Sequence, residues 1–195
     1  MSNFSIQSKN KSSSGFNLVE ILFVLTLLAI LINLGLPALS NIVERNQAKV
    51  VINEINRAIS LTRFTAINTS LITTLCRSEN GTSCGGQWQD GFIVFTDRNA
   101  DRVINGHDQL IRVFPEPAST GTLTFRSFQN KQYLQMTPQG FTNYQNGNFT
   151  FCTSSNDPKL AQQLIINRSG RTYFVSDNNG DGIKEGTNGK ALTCN

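Results

Sequence analysis

The chain has 195 residues, with 17 lysines and arginines against 13 acids and a formal net charge of +4. That excess is too slight to argue for nucleic acid or an acidic surface as an obligatory partner. A single histidine, His107, with no carboxylate pair, nucleophile–base set or phosphate-cradling glycine loop, makes an enzyme a poor fit.

In chain order, the first fifteen residues, MSNFSIQSKNKSSSG, carry Lys9 and Lys11 and no acid. They read as a cytoplasmic, positive-inside flank. From Phe16 to Leu39 the chain runs 24 residues with one charge, Glu20. At about 1.5 Å per residue, an apolar helix of this length crosses a hydrocarbon core of roughly 30 Å, so a transmembrane helix is expected. A carboxylate in such a span costs roughly 2.5–3.5 kcal/mol at mid-membrane depth and is rarely idle. One reading of Glu20 is a charge snorkelling to the interface; the other is a role in assembly. Pro37 lies inside the helical pattern and is expected to bend the helix rather than end it, because the pattern resumes.

From Asn41 to about Ser70, Ala48, Ile52, Ile55, Ile59, Thr62 and Ala66 recur at spacings of three and four, while Arg45, Lys49, Glu54, Arg57 and Arg63 fall elsewhere. The helix therefore starts apolar all round and becomes amphipathic, with a stripe to bury against the remainder of the domain. After Ser70 the period changes to two. Strands are predicted at 71–77, 91–96, 110–114, 122–128, 133–136, 148–153, 163–167 and 171–176, punctuated by Gly, Asn, Asp and Pro. About 155 residues beyond the apolar span suffice for one domain. The expected fold class is α+β, a long helix packed on one or two antiparallel sheets.

Four cysteines lie in the part of the chain that this topology places outside the cytoplasm, where disulfides outweigh thiol chemistry or zinc. Pairing by proximity gives Cys76–Cys84 and Cys152–Cys194, although three connectivities are open to four cysteines. An internal echo links 95–106, FTDRNADRVING, with 175–186, VSDNNGDGIKEG. Alternating oxygen ligands are what calcium loops use, which makes Asp177, Asn179 and Asp181 candidate calcium ligands with Gly182 at the sharp turn. The twelfth position from Asp177 is Asn188 rather than glutamate, and Arg102 replaces the glycine in the first copy. Such runs also read as plain turns whose side chains bond their own backbone.

The pattern K-x-x-x-G-F-x-L-V-E before an apolar helix resembles the prepilin signal of type IV pilins and type II secretion pseudopilins. The resemblance implies cleavage by a membrane peptidase at Gly15–Phe16, methylation of Phe16, and Glu20 as the fifth mature residue. Glu20 would then pair with the Phe16 amine of a neighbouring subunit, an α-amine titrating near pH 7.7–8.0. Lys9 and Lys11 would leave with the leader, and the net charge would fall to +2. Further on, LCRSENGTSC (75–84), WQDGFIVFTDRNAD (88–101) and LIINRSGRTY (164–173) are similar to the GspH/FimT/FimU group of minor pilins. Both cysteine pairs, the last cysteine almost at the C-terminus, look most like FimU-type members. The implied organisation is a leader at 1–15, a transmembrane and assembly half-helix at 16–39, an amphipathic half at 40–70 and a β-rich periplasmic domain at 71–195.

Three functions are implied by the resemblance. The leading one is a minor pilin in a tip complex that primes type IV pilus assembly, with Glu20 and Pro37 in the assembly helix. Its partners would be other minor pilins, the major pilin, the prepilin peptidase and an inner-membrane platform. It would sit in the inner membrane before assembly and in the extracellular pilus afterwards. A second is DNA binding, as in FimT-type members, whose G-R-x-R turn becomes Gly170-Arg171-Thr172-Tyr173 here. Arg168, Arg171, Tyr173, Lys184 and Lys190 are the candidate contacts, in a region where five bases face four acids. The third is a GspH-type pseudopilin of type II secretion. No cofactor is implied beyond the candidate calcium.

Overall fold

The structure, a computed structural model, describes residues 15, 17–117 and 120–194, the side chains of 34–38 excepted. The chain divides into two compact units, Met1–Ser40 and Asn41–Asn195. One helix, α1 (Leu18–Thr69), contributes to both. Its start is set by Asn17, whose side-chain oxygen accepts the Val19 N–H at 3.3 Å while its carbonyl accepts from Glu20 and Ile21. An asparagine cap of this kind satisfies amides that the first turn leaves without partners. The helix continues through position 37. Among the described residues no helix is long and apolar enough to cross a membrane. Lys9, Lys11, Phe16 and the Pro37 side chain lie outside the described residues.

In the second unit, the strands are β1 (Thr73–Arg77), β2 (Gly91–Thr96), β3 (Leu110–Pro115), β4 (Gly121–Ser127), β5 (Tyr133–Met136), β6 (Gly147–Thr153), β7 (Gln162–Ile166) and β8 (Thr172–Phe174). They form two four-stranded sheets, ordered β3-β2-β1-β5 and β4-β6-β7-β8. Every pairing is antiparallel. Two expected strands are shorter than the sequence suggests. The first starts at Thr73 because Ser70 takes φ +54° and turns the chain out of the helix. The last ends at Phe174, with Val175 adding only one further backbone bond, its N–H to the Gln163 carbonyl.

The stripe on α1 is buried throughout: Ala48, Ile52, Ile55, Ile59, Thr62 and Ala66, together with Val51 and Ala58. Thr62 is tolerated there because its hydroxyl donates to the Ala58 carbonyl at 2.7 Å. This face joins both sheets in one apolar core. At its centre Phe125 and Phe149 stack at 4.1 Å, and the edge of Trp88 meets Phe149 at 4.9 Å. Burying the Trp88 indole leaves its N–H to donate to Gln132 Oε1 at 3.2 Å.

Two turns close on the helix. Gly140 and Gly170 both take positive φ, +77° and +71°, and a Cβ on Gly170 would lie 2.4 Å from the Gly140 carbonyl oxygen. Arg63 donates from Nε to that same carbonyl at 3.0 Å. Nothing larger than glycine fits this crossing without shifting backbone. Thr172 on β8 also donates to Asn56 Oδ1 at 2.7 Å, and Ser155 to Glu44 at 2.6 Å.

Candidate functional site

Two smaller apolar clusters lie apart from the main core. One gathers Cys76, Ile93 and Phe95 with Cys84, Ile104 and Tyr133. The other gathers Cys152, Ala161 and Leu192 with Val175, Ile183 and Cys194. Each contains a disulfide, Cys76–Cys84 in the first and Cys152–Cys194 in the second. Each also contains an isoleucine from one of the two echoing loops.

The echo in sequence is an echo in hydrogen bonding. In the first loop the Arg102 N–H donates to Asp97 Oδ2 at 3.1 Å and the Val103 N–H to Asp101 Oδ1 at 2.8 Å. In the second, the Gly182 N–H donates to Asp177 Oδ2 at 2.8 Å and the Ile183 N–H to Asp181 Oδ1 at 2.7 Å. Ala100 and Arg102 take positive φ where the second loop has Gly180 and Gly182. The asparagine at the third position also behaves alike: Asn99 and Asn179 each donate to the aspartate two places on, Asp101 and Asp181.

The loops differ in what their acids face. Asp97 is fully buried, and its Oδ2 accepts from Thr74, Gln135 and Arg102, while Oδ1 has no partner. Asp101 accepts the Val103 N–H and the Asn105 and Asn99 amides, and these bonds hold its carboxyl below the usual carboxylate value. Asp108 accepts the Arg98 and Asn105 N–H groups. The second loop is closed by the chain's own donors in the same way, Asp177 accepting the Gly180 and Gly182 N–H groups and Asp181 the Ile183 N–H and the Asn179 amide. There Asp177, Asp181 and Glu185 also bring carboxylate oxygens within 4.8 Å of one another. Asn179, a candidate ligand, remains hydrogen-bonded within this loop. Glu185, absent from the candidate set drawn from sequence, stands at the ninth position from Asp177.

The candidate DNA contacts divide between two places. Arg168 and Arg171 lie in the β7–β8 connection, with the Arg168 guanidinium 5.1 Å over the Tyr144 ring and Tyr173 half exposed on β8. Lys184 and Lys190 belong to the C-terminal tail. Lys184 turns its ammonium to the Ala161 carbonyl at 3.3 Å. Burial first, and repulsion from Arg45 and Lys49 second, pull it below its ordinary value, against an opposing pull from Asp177. Lys190 lines a polar groove of about 350 Å3 with Arg126, Asn148 and Thr124.

In the first unit, Glu20 lies in the first turn of α1, where a carboxylate complements the exposed amides of the helix start. Leu18, Val19, Phe23, Leu25, Ile30 and Leu31 are all exposed along this part of the helix. Gly15 precedes the cap, with open space where a Cβ would stand.

A family model described as Type II transport protein GspH matches residues 51–170. Two crystal structures of the type IV minor pilin FimU from Pseudomonas aeruginosa share the fold. One matches at 16% identity and a TM-score of 0.54, covering 68% of this chain and 91% of that one. The other, in a second crystal form, matches at 14% identity and 0.50, covering 66% and 92%. No curated protein matches the chain.

Proposed function

The chain belongs to the GspH family, and from that premise we propose that it is a minor pilin of a type IV pilus, a structural subunit that helps prime assembly. The observation that carries the reading is the start of α1. Gly15 stands two residues before the Asn17 cap, Glu20 occupies the first turn, and the side chains beyond it are apolar and exposed.

In this reading a membrane peptidase cuts Gly15–Phe16 and the new N-terminal Phe16 is methylated. Residues 16–39 anchor the subunit in the inner membrane, with the β-rich domain in the periplasm. On assembly the helix leaves lipid for a bundle of pilin helices. There Glu20 meets the protonated amine of a neighbour's Phe16. A carboxylate without a partner in lipid is costly, so a subunit that supplies the opposite charge favours entry into the bundle. The sheets and the C-terminal tail form the surface that contacts other minor pilins.

The test is the yield of sheared surface pili from a strain lacking the gene, with transformation frequency scored alongside. Loss of pili, restored by the wild-type gene and not by a Glu20→Ala copy, is the expected result. Normal pili with collapsed transformation would transfer the role to DNA binding through Arg168 and Arg171. Normal pili with blocked protein secretion would assign the subunit to a type II secretion system.

A further inference from the structure

We infer that the loop from Asp177 to Glu185 is a calcium site that pins the C-terminal tail. Three carboxylates converge there, one oxygen from each within 4.8 Å of the others. Calcium holds its oxygens at roughly 2.3–2.6 Å, so ligands on opposite sides of the ion stand about that far apart. Glu185 supplies the independent indication. It is only 9% exposed, its Oε2 accepts the Asn178 N–H at 2.8 Å, and its Oε1 is buried with no partner. A buried carboxylate oxygen with nothing to accept from is unfavourable unless a cation supplies the missing interaction. Lys184, its neighbour in sequence, does not fill that need, since its ammonium is directed to the Ala161 carbonyl.

The chemistry of the donors selects the ion. Asp177, Asn179, Asp181 and Glu185 stand at positions one, three, five and nine of a loop whose sixth residue, Gly182, takes φ +89°. All offer oxygen and none offers nitrogen or sulfur, which favours a hard cation over zinc or copper. Three carboxylates against a divalent ion leave one net negative charge, and calcium accommodates such flexible sets better than magnesium does. The echoing loop at 97–108 is the comparison: its aspartates accept the chain's own donors as Asp177 and Asp181 do, and Asp97 Oδ1 is likewise buried with no partner, but among the described residues no three carboxylates converge there.

An ion at this point would fix the segment that leads into the Glu185–Ala191 pairing and on to the Cys152–Cys194 bridge. Calcium and the disulfide would then hold the same tail from its two ends. The inference rests on the loop alone and stands whether or not the subunit enters a pilus.

The experiment is calorimetric titration of calcium chloride into the full chain, purified in detergent and stripped with a chelator, with thermal unfolding followed in parallel. One site with Kd on the order of 10⁻⁴ M and a calcium-dependent rise in Tm are expected. Glu185→Gln and Asp181→Asn should each weaken binding at least tenfold, and Asp101→Asn in the other loop should not. Asp181 is exposed, so its variant decides the matter if Glu185→Gln fails to fold. No heat and no Tm shift at about 10 mM calcium would overturn the proposal, a range that spans the weakest extracellular calcium modules. So would binding that survives both substitutions, or binding lost in Asp101→Asn.

Discussion

Asp97 has no exposed surface, yet it is an acid in a run of Asp, Asn and Arg that looks like an open turn. What holds it is a set of donors from three parts of the chain: the Thr74 hydroxyl at 2.6 Å, the Gln135 amide at 3.0 Å and the Arg102 N–H at 3.1 Å. Thr74 is fully buried and Gln135 nearly so. Asp97→Ala would strand donors that water cannot reach, and each costs about 1–3 kcal/mol when left without an acceptor. A loss of about 3 kcal/mol in urea unfolding is expected, whereas Asn99→Ala, exposed in the same loop, should stay within about 0.5 kcal/mol. Equal, small effects at both positions would show that Asp97 does not organise the loop. Sequence spacing gave no sign of this burial, because an acid that accepts from distant donors is spelled like one that faces solvent. The same blindness hid Glu185. The ninth-position acid was visible, but its seclusion depends on the tail folding back through the Glu185–Ala191 pair.

At the scale of elements, the long helix was legible because burial on a helix repeats with a fixed period. Ala48, Ile52, Ile55, Ile59, Thr62 and Ala66 fall on the period, and all six are buried. The eight strands were legible for a related reason, since Gly, Asn, Asp and Pro mark where a ladder must stop. Their order was not. Nothing in the local pattern says that β4 opens a second sheet or that β5 returns to the first to pair with β1, because those pairings are decided by how the side chains of α1 and the Trp88–Phe125–Phe149 group fill one core. Two disulfides then secure segments that bury little of their own. The Cys152–Cys194 bridge closes a span of 42 residues and contributes about 4 kcal/mol on the chain-entropy account. Cys194→Ser should therefore render the tail sensitive to protease under oxidising conditions and lower stability by a few kcal/mol. Cleavage at the wild-type rate would mean that the tail is held by other contacts.

For the whole molecule, the recurring unit is a disulfide, a D-x-N-x-D loop and a small apolar cluster, present once beside each sheet. Beneath both lies a core that the helix and the two sheets share, the arrangement found in FimU. The 51–170 match to GspH starts within the helix and stops at the β7–β8 turn, so neither the helix start nor the C-terminal tail is part of what defines the family match. Those two ends carry the residues of both proposals: Gly15 and Glu20 at one, the proposed calcium loop at the other. The measurement that bears most directly on the central claim is the mass of the chain recovered from sheared surface filaments. The expected result is a processed subunit in that fraction that begins at a methylated Phe16 and that disappears from it when Gly15→Ala is introduced, the uncut chain then staying with the cells. An intact chain starting at Met1, or one that never reaches the surface fraction, would contradict the account.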